Sequence, residues 1–330
     1  MKNERLFTDF PSFSEEDWKA QIEKDLKGKP YKDLIKENVL GSTTEPVYTA
    51  AKALDLPNSR RGTKTENNDW TIYQTIKISG DSKSDNSEIL DLLNKGLTGI
   101  NLSGDPTFET LKEIAPEHIT TEFSNYSSLE KISKTISRTF GNIDNYYKIH
   151  LNFDPITNAA LSGKWTNKKQ EFQPGFQVIK ELSSFKSLRV FSVNANAYHN
   201  CGAGAVAEIG LALAQAHEYL IALLEEGVSI DAASALIKIE LSSGRDFFSE
   251  IAKFRAMRIL WARMIEEYNP KYACSKSIII TAHTSGFWNT VYDSYVNMLR
   301  ATTQAMSAAL GGADGIEVKS YNSAWEEGNE

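Results

Sequence analysis

The sequence predicts an α/β fold, a (β/α)8 TIM barrel preceded by an N-terminal helical and extended arm. Three observations indicate this fold: eight short β-rich segments, helical stretches between them, and a first segment of different composition. Parallel strands that are buried on both faces read as short apolar runs, which is what these segments show. An open doubly wound sheet is the alternative architecture.

Residues 1–69 are rich in charge, Pro and Asn, and we interpret them as an arm that wraps a partner, followed by a linker. One helix is predicted in this arm. It begins after Ser14, with Asp17 at the third position, and ends at Gly28, because glycine supplies a left-handed cap and Pro30 stops propagation. The barrel is then expected to span residues 70–330.

The barrel segment alternates between the two kinds of element. The candidate strands are residues 70–78, 98–103, 118–124, 146–153, 188–194, 236–242, 276–283 and 315–320. Helices are predicted over residues 86–95, 128–140, 205–226, 247–268 and 291–310. In the fourth of these, apolar residues recur every three or four positions from Phe247 to Tyr268, which is typical of core packing.

Composition excludes several classes of protein. A formal net charge of -7 over 330 residues argues against nucleic acid as a partner. The two cysteines, Cys201 and Cys274, are far apart and outside any Cys/His cluster, so we expect no disulfide framework and no metal site. No uninterrupted apolar stretch approaches the ~18 residues of a spanning helix, so we expect no membrane partner and a cytoplasmic location.

A glycine-rich string, Gly202-Ala203-Gly204-Ala205-Val206-Ala207, follows the fifth strand and opens a helix. It resembles a dinucleotide-binding motif, which leaves an NAD(P)-dependent oxidoreductase as a weak alternative. The helix that follows is too long for that motif, and no acidic residue ends a second strand downstream. The small residues are better explained by close packing of the helix on the barrel.

Tyr198 and His199 precede the same helix, in a predicted loop at the C-terminal mouth, where (β/α)8 barrels carry their sites. A histidine there can donate to a carbonyl oxygen or act as an acid. A structural role is equally compatible, with His199 ordering the loop and Tyr198 packing on the rim. His283, after the seventh strand, is a weaker candidate for the mouth.

Five separated strings resemble the methylmalonyl-CoA mutase family. They are WKAQIEKDLKGKPYKDL, NFDP, AYHNCGAGAVAEIGLALAQAHEYL, FFSEIAKFRAMRILWARM and AHTSGFWNTVYDSYVNMLRATTQAMSAALGG. They occur in the family's order and span nearly the whole chain. The resemblance implies an adenosylcobalamin-dependent isomerase in which coenzyme A threads a (β/α)8 barrel and the cofactor performs the radical chemistry.

The resemblance also implies roles for individual residues. Tyr198 and His199 match a substrate-contacting Tyr-His pair of the catalytic subunit. Thr75 stands where the family's I-R-Q-Y motif has a tyrosine, and Tyr292 where a glutamine precedes Asp-Pro-Tyr. After His283 the family's Cys-Gln is missing. No Gln/Arg pair follows the fourth strand, which removes the expected carboxylate clamp.

These departures predict a vestigial substrate pocket made of Thr75, Tyr198, His199, His283 and Tyr292. The cobalt-ligating D-x-H-x-x-G motif is absent, so this chain alone is expected to bind no cofactor, with adenosylcobalamin belonging to the complete enzyme. The resemblance favours a non-catalytic small subunit that pairs with a homologous catalytic large subunit as a heterodimer. The alternative is an acyl-CoA mutase barrel that acts on a coenzyme A thioester in trans with a separate cobalamin-binding chain.

Overall fold

Local capping interactions define the first helix of the chain. The computed structural model describes residues 11, 13–37, 43–48, 69–141 and 147–325, and the chain divides into two units, residues 1–56 and 57–330. In the first unit, α1 (Glu15–Asp25) begins at Ser14, whose hydroxyl accepts the Asp17 N–H while the Asp17 carboxylate accepts the Ser14 N–H. The helix predicted from this pattern is confirmed.

A 3-10 turn and a two-stranded ribbon complete the described part of the first unit. The turn spans Tyr31–Leu34, and β1 (Lys36–Glu37) pairs antiparallel with β2 (Thr43–Thr44). No residue of α1 is buried.

Eight parallel strands form the second unit. They are β3 (Thr71–Lys77), β4 (Gly99–Ser103), β5 (Thr120–Ser124), β6 (Lys148–Phe153), β7 (Ser187–Asn194), β8 (Ile237–Ser243), β9 (Ile279–Thr284) and β10 (Gly315–Glu317). Each strand pairs with the next along the chain, and β10 pairs with both β9 and β3, which closes the barrel. The predicted (β/α)8 fold is confirmed, and the open sheet is excluded.

Helices cover the outside of the barrel. They are α2 (Ser82–Asn94), α3 (Leu129–Phe140), α4 (Pro155–Ser162), α5 (Lys168–Glu181), α6 (Ala195–Asn200), α7 (Ala205–Glu225), α8 (Ile230–Ala235), α9 (Phe247–Glu266) and α10 (Val296–Gly311). The predicted start of the last helix at Val291 was wrong by five residues, because residues 291–295 form turns. Helices α4, α5, α6 and α8 were not predicted.

The loop predicted around Tyr198 and His199 was also wrong, since both residues lie in the short helix α6. Its start is fixed by Asn194, whose side chain accepts the Ala197 N–H. Gly204 is the N-cap of α7, so the glycine-rich string marks the approach to a packing helix.

Two long helices supply much of the core. Phe254, Met257, Trp261 and Ile265 of α9 are fully buried, which confirms the apolar stripe. Helix α7 is long and apolar enough to cross a membrane by composition alone. Its buried face instead packs against β7, β8 and α9, so its apolar content is explained by packing within the barrel.

A bulge in β7 determines which of its side chains face the lumen. The Val190 and Phe191 N–H groups both donate to the Leu236 carbonyl oxygen, at 2.9 and 3.1 Å. The extra residue lets Arg189 and Ser192 both point inward, whereas Phe191 packs outside against Tyr219.

We predict that Trp261→Ala lowers the free energy of unfolding by about 3–5 kcal/mol, because it leaves a cavity in the layer between α9 and the strands. The matched control is Leu260→Ala on the same helix, where the side chain is 40% exposed. Urea unfolding followed by circular dichroism measures both changes. Equal destabilisation by the two variants would contradict the assigned packing.

Candidate functional site

A chain of charged side chains crosses the inside of the barrel. Glu122 on β5 accepts hydrogen bonds from Lys238 Nζ on β8 at 2.5 Å and from His150 Nδ1 on β6 at 2.9 Å. Lys238 also contacts Glu240 at 3.1 Å. Because β5 and β8 are three strands apart around the barrel, the Lys238–Glu122 contact bridges the lumen. We call this set, continued below, the lumen chain.

The lumen chain continues to the other side of the barrel. His283 on β9 lies between Glu240, at 3.3 Å, and Glu317 on β10, at 2.9 Å. Glu317 accepts the backbone N–H of Thr75 on β3 at 2.9 Å. Charged or polar groups from five of the eight strands and a sixth strand's backbone are therefore linked in one network.

The two histidines of the lumen chain have opposite protonation preferences. Burial lowers the pKa of His150, and the single carboxylate of Glu122 does not overcome that effect. Burial also disfavours the charged form of His283, but Glu240 and Glu317 together raise its pKa to about 10. His150 is therefore neutral at pH 7 and His283 is an imidazolium.

The carboxylates of the lumen chain stay ionised although they are buried. Burial alone would raise the pKa of Glu240, but Lys238 and His283 hold it at about 2. In the same way, Lys238 and His150 hold the pKa of Glu122 well below its usual range. Fixed buried charges of both signs thus fill the middle of the lumen.

Tyr73 fills the lumen beneath these charges. Tyr73 pairs with Gly99 on β4, and Gly315 stands on β10 opposite Thr71; a Cβ at either glycine would lie 2.6 Å or less from a ring atom of Tyr73. The two glycines therefore make room for the aromatic ring.

Above the lumen chain, a cavity of about 820 Å³ opens at the C-terminal mouth. Its floor is formed by Glu240, His283 and Glu317. Amide and hydroxyl groups dominate the walls, which include Thr75, Asn101, Ser124, Asn152, Ser192, Asn194 and Asn196. The only cationic side chains in the lining are His283 and Lys319, and no arginine is among these described residues. We call this space the mouth cavity.

The structure brings together only part of the predicted pocket. Thr75 and His283 line the mouth cavity, whereas Tyr198, His199 and Tyr292 do not. Tyr292 lies in the turn before α10 and is 89% exposed. Their roles in binding a substrate remain predictions.

The Tyr198 hydroxyl points into a hydrogen-bonded cluster around Asp154. It donates to Gln215 Oε1, and Gln215 Nε2 donates to the Asp154 carboxylate at 2.5 Å. Asp154 also accepts the Tyr219 hydroxyl at 2.6 Å and the Asn194 N–H at 2.7 Å. This cluster fixes α6 and α7 to the ends of β6 and β7.

His199 is buried in a second ionic cluster outside the strands. Its Nε2 lies 2.7 Å from Ser285 Oγ, and its Nδ1 lies 3.5 Å from Glu208 Oε2. Glu208 is bound by Lys253 at 2.7 Å, and Lys253 also contacts Glu250 at 2.6 Å. The geometry gives His199 an anchoring function between α6, α7 and the end of β9.

Sequence reasoning missed the lumen chain and the Asp154 cluster. Glu122, His150, Lys238 and Glu240 stand inside predicted strands, at alternate positions where charged residues are unexpected. Charged residues at alternate positions of a predicted strand could have indicated a polar barrel lumen. The NFDP string contains Asp154, whose role as N-cap of α4 was likewise readable from the proline that follows it.

The described side chains do not form a metal or cobalt site. Within residues 11, 13–37, 43–48, 69–141 and 147–325, no group of three or more His, Cys, Asp or Glu is arranged to hold a metal ion. At the mouth, His199 and His283 are both engaged by neighbouring carboxylates. Neither histidine is therefore free to hold the cobalt of a cobalamin.

Comparison with known proteins gives a consistent set of relatives. Residues 173–330 match the methylmalonyl-CoA mutase family model. The chain is 30% identical over 355 residues to a methylmalonyl-CoA mutase small subunit of Porphyromonas gingivalis, covering 100% of this chain and 56% of that protein. It is 31% identical to a small subunit of Propionibacterium freudenreichii subsp. shermanii, covering 97% and 54%.

A large subunit is also among the relatives. The methylmalonyl-CoA mutase large subunit of Streptomyces virginiae is 27% identical over 360 residues, covering 95% of this chain and 49% of that protein. The chain thus spans about half the length of the curated relatives it matches.

We predict that His283 makes stability fall as pH rises. Its pKa in the folded chain is about 10, against ~6.5 in unfolded chains, so its stabilisation is complete below pH ~6.5 and is lost towards pH ~10. Relative to His283→Gln, the wild-type free energy of unfolding should decline by up to about 1.4 kcal/mol per pH unit in that window.

Urea unfolding at pH 7, 8 and 9 measures this difference. His118→Gln, which alters an exposed histidine at the other end of the barrel, should keep the wild-type pH dependence. If the free energy of unfolding changes equally with pH in wild type and His283→Gln, the His283 imidazolium is not stabilised by its neighbouring carboxylates.

Proposed function

Because the chain is similar to methylmalonyl-CoA mutase subunits, we propose that it belongs to that family and serves as a non-catalytic, small-subunit-like component of an adenosylcobalamin-dependent methylmalonyl-CoA mutase. In this proposal it pairs with a homologous catalytic large subunit as a heterodimer in the cytoplasm. The complete enzyme would interconvert methylmalonyl-CoA and succinyl-CoA. The observation that carries the proposal is the lumen chain, which occupies the path that a threaded thioester would need.

Opening that path would separate buried ions. A thioester arm along the barrel axis has to displace the Lys238–Glu122 contact and the Tyr73 ring. Breaking one buried ion pair by removal of a partner costs about 3–5 kcal/mol, and here several are linked. A filled lumen supports a subunit that does not thread coenzyme A.

The mouth cavity also supports a subunit that does not bind the acyl-CoA substrate. An acid-bearing acyl group is normally held by a bidentate arginine, and the cavity lining contains none. The charge of His283 is already balanced by Glu240 and Glu317, which would repel a substrate carboxylate. Thr75 supplies a hydroxyl where an aromatic ring would otherwise cover the substrate.

The cofactor is assigned to the partner. Adenosylcobalamin would supply the radical that drives the isomerisation, and the side chains that hold it would come from outside residues 69–141 and 147–325. The engagement of His199 and His283 with carboxylates supports this assignment.

Uncovered apolar surface supports pairing with another chain. Tyr295, Leu299, Met306 and Leu310 recur along α10 and are 65%, 70%, 55% and 44% exposed. Exposed apolar side chains along one face of an outer helix are typical of a protein interface. In the arm, Trp18, Ile22 and Leu26 of the α1 region are incompletely buried, and we propose that this helix embraces the large subunit.

We predict that the chain co-purifies with the homologous large subunit when the two are expressed together, and that mutase activity requires the large subunit. Leu299→Asp combined with Met306→Asp should weaken the complex, because it places charges in the apolar stripe of α10. The matched control is Ser84→Asp with Ser87→Asp, two exposed positions on α2. Size-exclusion chromatography with light scattering measures assembly.

Two outcomes would overturn the proposal. One is a chain that stays monomeric at micromolar concentration whether or not the large subunit is present. The other is turnover of an acyl-CoA by this chain with adenosylcobalamin and a separate cobalamin-binding protein, which would favour the barrel acting in trans.

We also predict that Tyr198→Phe and His199→Gln leave kcat of the assembled enzyme within about twofold of wild type, because both side chains face structural clusters. Both variants should lower the free energy of unfolding, by about 1–3 kcal/mol, through loss of buried hydrogen bonds. Steady-state kinetics and urea unfolding separate the two effects. A large loss of kcat without loss of stability would place these residues in catalysis.

A further inference from the structure

A second cavity lies at the N-terminal end of the barrel. It has a volume of about 580 Å³ and is lined by the starts of strands, including Tyr73, Thr120, Lys148, Ser187 and Arg189. Tyr73 and His150 border it from above, so the filled lumen lies between this space and the mouth cavity. We call it the lower cavity.

Arg189 in the lower cavity makes no hydrogen bond or ion pair with any described residue. Its Nε is buried without a partner, although a guanidinium carries five N–H donors. Burial disfavours its charge and lowers its pKa to about 10, with Asp314 acting in the opposite direction from a distance. It is therefore charged at pH 7.

The nearby acidic group does not satisfy Arg189. Asp314 accepts the Arg258 guanidinium at 2.6 Å and the Ile280 N–H at 2.8 Å. Arg258, unlike Arg189, has hydrogen-bond partners for its guanidinium. Its two Nη atoms also donate to the Ile278 and Gly312 carbonyl oxygens. An inward cation without partners is costly, and it is compensated when an anion binds.

The β7 bulge is what turns Arg189 inward, and Lys148 stands beside it on β6. Ladder pairing places Lys148 opposite Ser187 and His150 opposite Arg189, so Lys148 lies nearer the rim and Arg189 nearer the lumen. Both line the same space. A ligand entering from the N-terminal end would meet first an ammonium and then a guanidinium.

We propose that the lower cavity binds a compact oxyanion, a phosphate or a small carboxylate, held by the guanidinium of Arg189 with Lys148 at the rim. The same lining contains Asp69, Glu117 and Asp314, whose charges disfavour a polyanion. The ligand is therefore a small species of one or two charges. This site is separate from the mouth cavity and does not depend on the proposed mutase function.

The test uses the full chain, with inorganic phosphate and malonate titrated separately at constant ionic strength. Isothermal titration calorimetry and thermal unfolding are the readouts. Saturable binding of at least one anion is expected, with a rise in Tm as the site fills. Arg189→Gln should weaken the apparent affinity by about tenfold or more, because a bidentate charged contact is lost.

Two controls separate binding from folding. Arg263→Gln removes an exposed arginine on α9 and should bind the anion like wild type. Without ligand, Arg189→Gln should be at least as stable as wild type, since it removes an uncompensated inward charge. Coenzyme A, which is larger and more highly charged, should bind more weakly than phosphate.

Three results would overturn the proposal. They are absence of saturable binding of either anion to wild type, unchanged affinity in Arg189→Gln, and a marked loss of stability of unliganded Arg189→Gln, which would mean that the guanidinium has a structural partner. Tighter binding of coenzyme A than of phosphate would contradict the compact ligand.

Discussion

The Lys238–Glu122 contact is the interaction on which the interior of this barrel depends. It joins strands three positions apart and so crosses the axis instead of running along the wall. Each of its two ions is then shared with a second group, His150 on one side and Glu240 on the other. Because Lys238 is shared between Glu122 and Glu240, and Glu240 also contacts His283, the middle of the lumen behaves as a single unit. Both cavities are bounded by it.

The same arrangement explains why apparently similar residues behave differently. His150 has one carboxylate neighbour and stays neutral, whereas His283 has two and stays charged. Buried ion pairs contribute little net stability compared with an apolar core of the same volume. We interpret the lumen chain as fixing strand register and excluding ligands from the axis, while α9 and α7 supply most of the apolar burial.

The fold was predictable because its signals are local: every strand is a short β-rich run, and β-rich runs separated by helices favour a barrel. Helix α4 was missed because it is eight residues long, and α5 because it contains Pro174 in its interior.

The interior of the site was not predictable in the same way. Glu122 and Lys238 are 116 positions apart, and no property of either residue alone indicates that they meet across an axis. Tyr198 and His199 lie in α6, directly after β7, and the direction of their side chains depends on Gln215 and Glu208, which lie on the following helix.

The pair of glycines beside Tyr73 has an evolutionary consequence. Gly99 and Gly315 are shaped to an aromatic ring that stands between them, so losing the ring alone would leave a gap, and gaining a side chain at either glycine alone would produce a collision. Evolution from an open barrel lumen to a filled one, or the reverse, must therefore change residues on several strands together. Intermediates along that route would be poorly packed, which tends to hold such a lineage in whichever form it has already reached.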